Sequence, residues 1–85
     1  MGVLRISPRE VAHLPVVPVI VEYTPGYADR VVSLIESLGG RVRAVSRITN
    51  VILATVPREK LQELATSPYV VEVDLDRKFL IMEFF

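Results

Sequence analysis

The sequence predicts an α+β domain whose strands and helices follow one another as β-α-β-β-α-β. That order gives a four-stranded antiparallel sheet with both helices on one face. Three observations carry the expectation. Two stretches of helical spacing alternate with four short runs rich in β-branched residues. Glycine and proline fall at the joints between them. The two halves also echo each other: Val-Ile at residues 19 and 51 each lies in a strand that is followed by a proline, a helix and a further strand.

Residues 1–15 read as a lead-in. Ser7-Pro8 and Pro15 suggest an extended or turning path. Val16 to Thr24 is the first strand, with Pro18 expected at a strand start or an edge because it lacks a ladder donor. Pro25-Gly26 ends it. Tyr27, Val31, Leu34, Ile35 and Leu38 then fall on one helical face, and Asp29 suits the positive end of the helix dipole. Gly39-Gly40 supplies a left-handed cap at its end.

Arg41 to Ile48 alternates. Val42, Ala44, Ser46 and Ile48 share one face, and Arg41, Arg43, Val45 and Arg47 share the other. The arginines read as charge protecting an edge strand. Thr49-Asn50 turns the chain, and Val51 to Val56, apolar on both faces, is a central strand. Pro57 opens a second helix with Leu61, Leu64 and Ala65 buried, and Pro68 stops it. Val70 to Leu75 is the fourth strand, with Val71, Val73 and Leu75 inward and Glu72 and Asp74 outward. Residues 16–76 thus form the domain, a ferredoxin-like sandwich with one open sheet face, and 77–85 form an apolar tail.

Composition narrows the function. The 85 residues suffice for one small domain, and 51% are hydrophobic, which argues against disorder. Ten basic residues balance ten acidic ones, unlike a nucleic-acid binder, whose affinity comes from neutralising phosphates. With no cysteine, disulfides and thiolate chemistry are excluded. No run approaches the roughly 18 apolar residues of a membrane span. Arg5, Arg9, Glu10 and His13 interrupt any signal-peptide core, so a cytoplasmic protein is expected.

No catalytic constellation stands out. His13 is the one histidine, and none of the serines lies in a nucleophile-elbow motif. Asp74 and Asp76 share a strand parity, but two carboxylates are too few ligands for a metal. A binding protein without cofactor, rather than an enzyme, is expected.

From Val16 onward, over about four-fifths of the chain, the sequence resembles the subtilisin propeptide (inhibitor I9) family. The resemblance is carried by the valine-rich strand ending in Tyr23, by Leu38-Gly39-Gly40-Arg41-Val42, and by Ile48-Thr49-Asn50-Val51 with Ala54-Thr55-Val56. Leu61 to Leu64 with Ser67-Pro68-Tyr69-Val70, and the ending Val73-Asp74-Leu75-Asp76, complete it. It implies the same β-α-β-β-α-β fold, a partner that is a subtilisin-like serine protease, and inhibition or assisted folding of that protease. It further implies that the open sheet face packs on two protease helices, with Asp74 and Asp76 facing their N-termini. Carboxylates suit such ends on physical grounds.

The resemblance also implies that the tail, Phe79, Leu80, Ile81, Met82, Glu83, Phe84 and Phe85, lies extended in the protease cleft. Met82 and Phe79 fill the apolar pockets in one register, Phe85 and Met82 in another. An extended peptide gains backbone hydrogen bonds and places alternate side chains in pockets. Neither a leader nor a protease accompanies the sequence, so a free-standing inhibitor or chaperone is expected, and the tail is about three residues longer than is typical of the family. The second reading is a regulatory or assembly module that forms a homodimer through its tail or a sheet edge. A nucleic-acid binder using Arg41, Arg43 and Arg47 is the third and weakest.

Overall fold

The computed structural model describes residues 2–84, with the backbone alone for Glu83 and Phe84. The chain runs β1 (Val3–Leu4), α1 (Pro8–Val11), β2 (Val16–Tyr23), α2 (Ala28–Ser37), β3 (Arg41–Ser46) and β4 (Val51–Pro57). A 3-10 turn (Arg58–Lys60) then leads into α3 (Leu61–Ala65), followed by β5 (Val70–Leu75) and α4 (Arg77–Phe84). The result is an α+β domain with a five-stranded mixed sheet in the order β1-β5-β2-β4-β3.

Strands β2, β3, β4 and β5 pair antiparallel, as the sequence predicts. The expected count of four strands is corrected by β1, which adds in parallel to β5 through Val3 and Leu4. Two residues are too few for a period-2 pattern, so periodicity could not reveal this strand. The rest of the lead-in also packs. Ser7 caps α1, its hydroxyl accepting from the Arg9 N–H, and Glu10 accepts from the Ser7 N–H to complete a capping box. Ile6, Val11 and Leu14 are buried in the common core.

One face of the sheet makes that core. Val17, Val19 and Val21 of β2, Ile52, Ala54 and Val56 of β4, and Val73 and Leu75 of β5 are buried by strand alternation. Against them lie Ala28, Val31 and Ile35 of α2, and Leu61, Leu64 and Ala65 of α3. Each valine, leucine or isoleucine among them contributes about 1.5–3 kcal/mol on leaving water. Helix α2 ends as the glycine pair predicts: Gly39 has φ +85°, its N–H bonds to the Glu36 carbonyl, and the Gly40 N–H reaches back to Ile35. Asn50 turns the β3–β4 hairpin at φ 58°.

Several local expectations are revised. Arg43 and Ala44 both fall opposite Leu53, a bulge that reverses the side-chain parity of β3. Val45 therefore pairs with Ile52 on the helix side, and Arg47 reaches Asp29 in the first turn of α2. A second irregularity, where β2 meets β5, buries Val70 and leaves Val71 43% exposed instead of inward. Pro18 lies within the central strand β2, not at a start or edge. Its carbonyl accepts from the Asp76 N–H, so its missing donor points to where β5 has already ended. Pro57 closes β4 and precedes the 3-10 turn instead of opening a helix.

Candidate functional site

The other sheet face follows from the same alternation. Its rows run Glu72–Glu22–Val51, then Asp74–Ile20–Leu53, then a third in which Asp76 lies beside Pro18 and Thr55 pairs with Arg41. Asp74 and Asp76 are thus on the face that their parity predicts. The like charges of Glu22 and Glu72 stand directly opposite each other, an unfavourable pair eased by an ion pair between Glu72 and Arg5 from the segment after β1.

Helix α4 packs at one end of this face, where Phe79 and Met82 line a groove with Ile20 and Leu53. The sequence leads one to expect an extended tail, and the structure instead has Arg77–Phe84 helical. Asp76 starts the helix: its Oδ1 accepts from the Phe79 N–H at 3.1 Å and its carbonyl accepts from the Leu80 N–H at 3.0 Å. The signal was present as an aspartate followed by Arg77 and Lys78 and a run with no glycine or proline. Apolar side chains on every side of the helix hid any amphipathic period. Leu80 packs on the core, while Ile81 and Met82 remain 59% and 74% exposed.

Asp76 is the one buried charged residue among the described residues, at 7% exposure. Its Oδ2 accepts from Arg43 Nη2 at 2.9 Å. The Arg43 guanidinium also lies 3.7 Å from the centre of the Phe79 ring, close enough for a cation–π contact. Arg43 Nε is buried without a hydrogen-bond partner among the described residues. Asp74 Oδ1 accepts from the Leu75 N–H at 2.7 Å and lies 3.6 Å from Arg77. Arg77, first in α4, also pairs with Glu10 of α1 at 2.8 Å. The Ser7 N–H first, and Arg77 second, hold the Glu10 carboxyl below its ordinary range. Hydrogen bonding to Glu10 raises the already high pKa of Arg77.

Between α4 and the sheet is a groove of about 330 Å³, lined by Ile20, Arg43, Leu53, Asp76, Lys78, Phe79 and Met82. The face therefore joins apolar surface, an aspartate pair and an arginine. Of the predicted tail residues, Phe79 and Met82 line the groove. Phe85 and the side chains of Glu83 and Phe84 lie outside the described residues. Of the three arginines expected together, Arg41 and Arg43 are on this face and Arg47 is not. His13 is exposed in the segment after α1.

No family model, curated protein or solved structure matches the chain.

No helix is long and apolar enough to cross a membrane among the described residues.

Proposed function

We propose that this chain binds and inhibits a subtilisin-like serine protease, with its sheet face on the enzyme and its C-terminal segment in the cleft. The observation that carries the reading is the succession of Asp74, Asp76 and the apolar segment from Phe79 on a sheet face that carries neither α2 nor α3. The order β5-β2-β4-β3, with α2 and α3 on the opposite face, is a ferredoxin-like unit and agrees with the arrangement that the subtilisin propeptide resemblance implies. Asp74 and Asp76 supply carboxylates for the N-termini of helices on the enzyme. The segment from Phe79 supplies large apolar side chains for alternate pockets. The chain acts as a ligand and not as a catalyst, and stabilising the native protease would also let it assist folding.

A second reading is an assembly module. It is favoured by Ile81 and Met82, which α4 turns to solvent, and would make them a contact between two copies.

The test is a titration of a subtilisin-type protease, followed with a chromogenic peptide, using the full chain and a form ending at Lys78. Inhibition at sub-micromolar full chain, lost on shortening, is expected. No inhibition by either form, with the full chain a dimer and the shortened form a monomer in sedimentation, would favour the assembly module.

A further inference from the structure

We propose that α4 is an intramolecular latch that keeps Asp76 and Phe79 engaged within the chain and away from a protease, so that the chain is latent until α4 lifts. This rests on the protease-binding reading and adds a regulatory step to it. Both carboxylate oxygens of Asp76 are engaged within the chain, one by the Phe79 N–H and one by Arg43. The same carboxylate cannot at once cap α4 and face a helix of the protease. Phe79 is likewise held over the sheet, its ring against Arg43, and an extended segment in a cleft cannot keep that contact. The helical and the cleft-bound forms of residues 77–84 exclude each other.

The latch is built to open without unfolding the domain. Eight residues are fewer than an isolated helix needs to hold together in water. Helix α4 follows β5 after the single residue Asp76, and its Ile81 and Met82 contribute little burial. Its hold depends on Asp76, on the Glu10–Arg77 pair and on the contacts of Phe79 and Leu80. Apparent affinity for a protease is then the intrinsic affinity reduced by the fraction of open chain.

The chain has no cysteine, which allows a clean test. Cysteines are placed by Leu53→Cys and Lys78→Cys, both lining the groove and neither among the cleft-filling side chains, and joined by a short bis-maleimide that contains a cleavable disulfide. Inhibition of a subtilisin-type protease is compared in the same molecule before joining, after joining and after cleavage. The latch predicts at least roughly tenfold weaker inhibition in the joined form, recovered on cleavage. Equal inhibition in all three states, with the parent chain active, overturns the latch and leaves the protease-binding reading standing. A parent chain that inhibits no such protease overturns that reading, and the latch with it.

Hydrogen exchange on the parent chain decides the case where the double variant is impaired. The latch predicts that the Leu80 amide exchanges on the order of 100-fold faster than those of Val19 and Ile52, with little response to mild urea, as local opening requires. Exchange of all three at one rate, with one urea dependence, overturns it.

Discussion

Asp76 joins two parts of the molecule that are far apart in sequence: its Oδ2 accepts from Arg43 of the edge strand β3, and its Oδ1 accepts from the first turn of α4. A single carboxylate thus fixes where the chain goes after its last strand. Replacing either partner leaves the other partly buried and poorly compensated.

Asp76→Ala is expected to destabilise the fold by about 2–3 kcal/mol, from the lost cap and the stranded arginine. Asp76→Asn keeps an oxygen for the Phe79 N–H and is expected to lose less, about 1–2 kcal/mol. Urea unfolding of both, with Arg43→Met and the double variant, gives the coupling directly. A coupling near zero would show that the pair is geometrically close and energetically idle.

Acid should loosen the attachment of α1 to α4. The folded-state pKa of Glu10 is depressed below its ordinary 4.5. Its contribution is therefore present above that value and is lost as pH falls through the folded-state pKa. Glu10→Gln keeps an acceptor for the Ser7 N–H but removes the charge that faces Arg77. The parent should exceed this variant in Tm at neutral pH, modestly because the pair is exposed, and the gap should narrow as pH falls from 4.5 and close below the folded-state pKa. A gap that persists there would assign the difference to something other than ionisation.

These groups mark where sequence reading ended. Strand β2 was legible from its run of β-branched residues, as were α2 from its apolar stripe and its close from Gly39. The position of Asp74 on the open face followed from strand alternation in β5. The bulge at Arg43–Ala44 was not legible, because no glycine marks it and either parity leaves apolar residues inward. The coupling of Arg43 to Asp76 spans 33 positions and depends on that bulge, so no local pattern could show it. The extended tail is an implication of the family resemblance alone, and the capping signal at Asp76 points instead to the helix that forms.

The glycine pair provides a test of two different demands. Gly39 has a positive φ, and a Cβ there meets only the Pro57 side chain at 3.6 Å. Gly40 has no such φ, yet a Cβ would lie 2.8 Å from the Thr55 carbonyl and 2.8 Å from the Ile35 side chain. Gly39→Ala is expected to cost about 1 kcal/mol, the conformational penalty alone. Gly40→Ala should cost about 2–3 kcal/mol, because backbone of α2 and β4 must separate. Thermal or urea unfolding ranks the two, and the reverse order would mean that capping, and not close approach of helix and sheet, dominates the junction.

Asp74 separates the surface contact from the tail. It precedes α4, points to the open face beside Ile20, and its main local bond is to the Leu75 N–H. Asp74→Asn preserves an acceptor there and removes only the charge, so stability should change by less than about 0.5 kcal/mol. If Asp74 faces a helix N-terminus on a protease, losing that charge should weaken inhibition about fivefold, equivalent to roughly 1 kcal/mol. Added salt should shrink the difference, since charge–dipole attraction at a surface is screened. Inhibition constants for the parent and Asp74→Asn at low and high salt measure this. Equal constants at both salt concentrations would place the contact elsewhere and leave the segment from Phe79 as the inhibitory element.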